Sequence, residues 1–183
     1  MCALMLGLRP GELTGLRWDG VDLKVGTLAV AGSLKRERGQ LKLGETKTAR
    51  SRRTLALPQP VLTALRAHDK RQKMERPRVG SAWRSTGLVF TTEVGTPIDP
   101  SNLRRATKAL CEAAEVAVVS PNELGRHSAA SLLYDAGMPL DAIADLLGHQ
   151  STRMLEQHYR HRVRASFNAH VEHMEALFSG FPG

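Results

Sequence analysis

Between Asp19 and Pro58 the chain reads in short β-type runs, Thr27 to Val30, Gln40 to Leu43 and Arg53 to Leu57, separated by glycine and charged residues. On both sides of this stretch the apolar residues recur at helical spacing instead. The three runs predict a small antiparallel meander. Ahead of it lie an uncapped apolar opening, Leu4, Met5, Leu6 and Leu8, and a second helical segment started by Pro10 and carrying Leu13 and Leu16. Behind it, Val61, Leu62 and Leu65 begin a helix from Pro60 to Met74, followed by a loop from Pro77 to Gly87 and one short strand, Leu88 to Phe90. The rest predicts helices. Ser101 caps one with Leu103, Ala106 and Leu110, and Ser120-Pro121-Asn122-Glu123 has the form of a capping box opening a second that runs to Gly137. A third runs from Pro139 to a glycine stop at Gly148, Ser151 caps a fourth, and Phe167, Val171, Met174 and Phe178 mark a terminal one. The expected class is α+β, mainly helical, with a small three-stranded antiparallel sheet, in one domain over residues 1–183.

At 183 residues and 42% hydrophobic content the chain can bury a real core, which excludes a disordered or low-complexity protein. Lys and Arg total 26 against 18 Asp and Glu, a net charge of +8, so the folded surface attracts a polyanion and nucleic acid is the leading partner. The cations comprise 19 Arg and 7 Lys, and the planar guanidinium grips a phosphate bidentately where an ammonium does not. Aromatic residues are 4% of the chain, too few to stack bases on, which favours backbone and groove contacts. Two cysteines, Cys2 and Cys111, supply neither a disulfide framework nor a thiolate zinc site and fit a reducing cytoplasm. No apolar run approaches the ~20 residues of a membrane span, and MCALMLGLRPGEL has no basic n-region, so neither a membrane nor a secreted protein is expected.

A few strings stand out chemically. Arg9 precedes Glu12 by three residues, where a carboxylate can hold a guanidinium still, although a plain surface pair fits as well. Thr46 to Arg53 gathers Lys47, Arg50, Arg52 and Arg53 at a predicted hairpin end, which reads equally as a solvated turn or as a nucleic-acid contact. Arg126 and His127 fall near the start of a helix, where unsatisfied amides favour an anion, and His149 follows the Gly148 stop. Tyr159 is surrounded by cations, including Arg160 and Arg162, that lower a phenol pKa, whereas Tyr134 sits beside Leu132 and Leu133 and reads as core.

Taken in order, GLRPGEL, TKTARSRRTLALP, RHSAASLLYDAG, LGHQSTR and HYRHR resemble the catalytic domain of the tyrosine recombinase (phage integrase) family, from Leu8 to Arg162. The resemblance implies that Arg9 and Arg126 clamp a phosphate, Lys47 is the strand-turn lysine, His149 is the late histidine and Tyr159 is the nucleophile. It implies DNA strand cleavage through a 3′-phosphotyrosyl link, with Glu12 orienting Arg9, no metal and no nucleotide cofactor. Arg50, Arg52, Arg53, Arg160 and Arg162 are the expected DNA contacts. The implied partner is double-stranded DNA, with self-association through the carboxy-terminal helix into a tetramer on DNA, in the cytoplasm of a bacterium or phage host beside the nucleoid.

Two departures matter. The family's His-x-x-Arg-His is here Asn122-Glu123-Leu124-Gly125-Arg126-His127, with the first His absent and Gly125 looking inserted. Asn122 and Glu123 are the candidates for that vacant place, Asn122 as a neutral donor and Glu123 as the reciprocal arm of the capping box. The family's core-binding and arm-binding domains are also absent ahead of Met1, which implies a catalytic-domain fragment or a truncated relative. A non-catalytic helix-turn-helix module, built on Ala136 to Gly148, and a degenerate inactive recombinase are the rival expectations. Type IB topoisomerases share the phosphotyrosyl chemistry and are a near neighbour. His158-x-x-His161 and His170-x-x-His173 have chelating spacing but no completing carboxylate or cysteine, so they read as solvated helix positions.

Overall fold

The computed structural model describes residues 1–45 and 52–148, together with 152, 153, 155 and 156. Lys47, Arg50, His149, Tyr159, Arg160 and Arg162, the Ser151 cap and the apolar stripe from Phe167 to Phe178 lie outside the described residues.

The chain opens with α1 (Cys2–Leu6), which stops at Gly7 in the left-handed region, φ 57°. A side chain there would place its Cβ 2.1 Å from Leu147 Cδ2, so glycine is required both by the turn and by the close approach. Three residues later Pro10 starts α2 (Pro10–Thr14) as expected of a proline at the first helical position. A single 3-10 turn, Trp18–Gly20, leads into β1 (Val21–Asp22), β2 (Thr27–Val30), β3 (Gly32–Glu37), β4 (Gln40–Glu45) and β5 (Arg53–Ala56).

These strands form two sheets. One is three-stranded and antiparallel in the order β1-β2-β5, with Leu28 opposite Leu55 and Val30 opposite Arg53. The other is the separate hairpin β3-β4, with Leu34 opposite Leu43 and Glu37 opposite Gln40. The expected meander is therefore corrected in its membership. Gln40 to Leu43 pairs with Gly32–Glu37, and the third strand of the sheet is Val21–Asp22. The hairpin closes through Arg38 and Gly39, both at positive φ (49° and 82°), the two-residue loop whose twist matches that of paired strands.

From Gln59 the helical pattern builds α3 (Gln59–Val79), which passes Pro77 and ends at Val79 instead of stopping at the proline. Its buried face, Val61, Leu62 and Leu65, closes over Leu28, Val30 and Leu55 of the sheet and Leu6, Leu8 and Leu16 of the amino-terminal segment. Full burial of each such side chain contributes about 1.5–3 kcal/mol. Lower on the helix, buried Gln72 accepts from Trp18 Nε1 at 2.8 Å and donates to Val89 O at 3.2 Å. Residues 88–90 make one isolated bridge, Leu88 to Arg17, where a strand was expected.

The remaining described elements are α4 (Pro100–Ala113), a π turn (Glu123–His127), α5 (Ser128–Asp135) and α6 (Leu140–Leu147). The cap of α4 is Asp99, which accepts from Ser101 N at 2.8 Å, and Ser101 is the residue capped. The capping box at Ser120 forms as read, with Ser120 N donating to Glu123 Oε2 at 2.7 Å and Glu123 N donating to Ser120 Oγ at 3.2 Å. Helix α6 ends at Gly148, φ 66°, at the expected stop. Ala130, Ile143, Ala144, Leu147 and Leu155 make a second core cluster, with Tyr134 packed against it, and Leu146 touches both clusters. The mainly helical α+β class holds.

Candidate active site

Three connections converge where α1 meets α2, where β5 begins and where α6 ends. Arg9 is the cap residue of α2 and not part of its helical face, and Glu12 at the third helical position reaches back to it. Arg9 N donates to Glu12 Oε2 at 3.0 Å and Arg9 Nη1 to Glu12 Oε1 at 2.8 Å. Arg9 Nη2 lies 3.3 Å from Gly148 O, on the glycine that closes α6. The Arg9 side chain keeps 40% of its surface exposed while that of Glu12 keeps 3%, so the arginine faces solvent across a buried carboxylate.

Arg126 comes from the π turn and is 4% exposed. Its Nη1 donates to Gly7 O at 3.2 Å, which ties it to the same connection that carries Arg9. Burial, together with the positive charges of Arg9 and Arg53, lowers the Arg126 pKa from 12.5 to about 9, and the Glu12 carboxylate offsets part of that. It remains a cation at neutral pH.

Arg53 is one of the five arginines expected to contact DNA. In the structure its side chain is 8% exposed and engages Glu12, Nη2 to Oε2 at 3.0 Å and Nη1 to Oε1 at 3.3 Å. Its Nε donates to Leu146 O at 2.7 Å. Strand alternation held the signal: Arg53 and Leu55 share a face of β5, and Leu55 is core. Burial of Glu12 raises its pKa, but the hydrogen bonds and charge of Arg53 and the bonds from Arg9 outweigh this, and the net shift is downward. The carboxylate is therefore ionised at neutral pH. Three guanidiniums around one carboxylate leave a formal charge of about +2, a fixed receptor for an oxyanion.

Arg52, beside it, is exposed. Glu123 is also exposed, and the Ser120 hydrogen bonds lower its pKa. Asn122 is half-buried and donates from Nδ2 to His127 Nε2 at 2.8 Å. The structure thus brings Arg9, Glu12 and Arg126 together and adds Arg53 to them. Among the described residues no cluster of His, Cys, Asp and Glu suits a metal ion, and no helix is long and apolar enough to cross a membrane.

Comparison with known proteins bears on this centre. The chain is 39% identical over 192 residues to an integrase of Streptomyces ambofaciens, covering 98% of this chain and 48% of that protein. It is 33% identical over 190 residues to a XerC-like tyrosine recombinase of Caldanaerobacter subterraneus subsp. tengcongensis, covering 97% and 48%. The chain spans about half the length of the curated relatives it matches. Among solved structures it resembles the Tn1549 transposon integrase in complex with circular intermediate DNA, with a TM-score of 0.77 at 21% identity over 94% of this chain and 57% of that one. The XerA recombinase follows with a TM-score of 0.69 at 18% identity over 92% and 55%. At these identities the structural likeness is one of fold. The model of the phage integrase family matches residues 1–165, and with relatives this similar across almost the whole sequence, the chain belongs to that family.

Proposed function

We propose that this chain is the catalytic domain of a site-specific DNA recombinase that cleaves and rejoins duplex DNA. The observation that carries the reading is the convergence of Arg9 and Arg126 on the buried Glu12, a preformed cationic seat for a phosphodiester. In-line attack on phosphorus builds negative charge on the non-bridging oxygens, and fixed guanidiniums stabilise that charge without reorganising at the moment of reaction. In this scheme the Tyr159 oxygen bonds to phosphorus, the bond to the 5′ oxygen breaks, and one proton passes in net from the phenol to the departing 5′ hydroxyl. Lys47 delivers that proton and His149 donates a further hydrogen bond, roles that rest on the family resemblance. Side-chain cations supply the charge, so the reaction runs without metal or nucleotide cofactor. Duplex DNA is the substrate and partner, consistent with the net charge of +8, and the carboxy-terminal helix joins protomers into a tetramer on DNA.

The test is covalent trapping on a nicked suicide duplex in EDTA. The wild-type chain forms a protein–DNA adduct, and Tyr159→Phe forms none while retaining DNA affinity. Affinity falls linearly on logarithmic axes with salt, at roughly −0.9 per phosphate contacted. An adduct that persists in Tyr159→Phe contradicts the nucleophile. Salt-dependent binding without any adduct supports the helix-turn-helix reading, in which α5 and α6 around Gly137 are a DNA-binding pair only.

A further inference from the structure

The geometry points to Arg53 as a positioning residue that holds Arg9 in place through Glu12, and not as a DNA contact. This rests on the proposed recombinase reading. Two arginines share the Glu12 carboxylate and divide the work unequally. Arg53 lays both terminal nitrogens along it, one on each oxygen, and spends its Nε on Leu146 O. Those three bonds engage every nitrogen of the guanidinium inside the fold, and at 8% exposure the side chain has little surface to offer a phosphate. Arg9 commits a single terminal nitrogen to Glu12, rests the other on Gly148 O at the long distance of 3.3 Å, and stays 40% exposed. One arginine is the anchor and the other is the available hand.

The arrangement answers a physical need. A carboxylate this buried, paired only with the half-exposed Arg9, would be poorly compensated, because burial disfavours its charged form. The charged groups facing it are Arg9 from the start of α2, Arg53 from β5 and Arg126 from the π turn. Arg126 acts at longer range, so Arg53 is the principal compensation. With Arg53 present Glu12 remains ionised and rigid, and Arg9 is fixed on it. The same side chain stitches β5 to the last turn of α6, so the element that follows the Lys47 region and the one that precedes His149 are braced on one carboxylate.

The experiment compares wild type, Arg53→Met and Arg53→Lys in the 183-residue chain. It reads the single-turnover adduct rate at saturating nicked duplex against pH, the duplex Kd, and the 13C titration of the Glu12 carboxyl without DNA. In Arg53→Met the saturating rate falls roughly 10- to 100-fold, the scale expected when a catalytic group is displaced by about 1 Å. The Kd stays within about 3-fold, and the acid limb of the rate profile and the Glu12 titration both move to higher pH. Arg53→Lys, which keeps the charge but not the fork, restores most of the rate and returns the titration towards wild type. A weakened Kd with an unchanged saturating rate makes Arg53 a DNA contact and overturns the proposal. So does a slower rate with the Glu12 titration unmoved and no rescue by lysine, which marks a purely structural residue. If Arg53→Met does not fold, Arg53→Lys decides alone: a weakened Kd at an unchanged saturating rate, or a slowed rate with the Glu12 titration unmoved, overturns the assignment. If wild type forms no adduct, the recombinase reading fails separately, and the Glu12 titration still decides whether Arg53 governs that carboxylate.

Discussion

Asn122 and His127 stand five residues apart, yet Asn122 Nδ2 donates to His127 Nε2 at 2.8 Å. The same spacing marks the backbone of the π turn over Glu123–His127, where Ser128 N donates to Glu123 O, and Ser128 Oγ donates to that carbonyl as well, at 2.8 Å. A π turn accommodates one residue more than an α turn, and Gly125 is the residue that looked inserted in the sequence. Arg126 follows Gly125 within this wider turn, with its Nη1 donating to Gly7 O at 3.2 Å.

Gly125 is fixed by packing. A Cβ on it would lie 3.0 Å from Ala3 Cβ and 3.1 Å from the Ala3 carbonyl oxygen, and backbone cannot swing aside as a side chain can. Gly125→Ala is expected to destabilise the fold by about 1–3 kcal/mol as α1 is pushed from the turn. Denaturant unfolding measures it, and a midpoint equal to that of wild type would mean that α1 yields freely.

The two neighbours of the π turn are expected to part in their behaviour. The Glu123 carboxylate is one arm of the capping box, accepting from Ser120 N, while the other arm uses Glu123 backbone N and survives truncation, so Glu123→Ala lowers the melting temperature by a few degrees and leaves adduct formation intact. Asn122→His maintains or raises the adduct rate, since it supplies a ring donor one turn before Arg126. A sharp loss of cleavage in folded Glu123→Ala protein would instead place Glu123 at the reacting phosphate.

Asp99 caps α4 and pairs with Arg36 of the β3-β4 hairpin. Hydrogen bonds from Ser101, then that from Arg36, lower its pKa from 3.8 to about 2. A depressed carboxylate pKa contributes stability that is complete above the unfolded value and is lost as pH falls through the folded one. Asp99→Ala is therefore less stable than wild type at pH 7, and the gap in melting temperature narrows between about pH 4 and about pH 2. A gap constant across that window contradicts the ionised cap.

Local signals were legible and non-local ones were not. The Ser120–Glu123 box and the Gly148 stop are decided within a few residues, so their residue types announce them. The partner of Gln40 to Leu43 is decided by the Arg38-Gly39 turn, and arginine at positive φ carries no sequence cue of the kind that asparagine gives. Gly32–Glu37, polar but for Leu34, gave no β signal of its own. Val21–Asp22 is too short to show a period. Asp99 rather than Ser101 caps α4 because both residue types cap well, and the choice lies with Pro100 at the first helical position. Arg9, Glu12 and Arg126 were legible as motif residues, but that Arg53 joins them follows from the inward face of β5, which a run of four cations concealed.

The Arg9–Glu12–Arg126 centre can stabilise the reacting phosphate or merely attract DNA, and the two roles separate in rate and affinity. The direct measurement is the single-turnover rate of covalent adduct formation by Arg126→Ala and Arg126→Lys at saturating nicked duplex, with the duplex Kd determined in parallel. A slowing of ~100-fold or more in Arg126→Ala, with Kd changed only a few-fold and little recovery in Arg126→Lys, is the predicted result. Equal losses in rate and affinity, or a rate left unchanged in a folded variant, would contradict it.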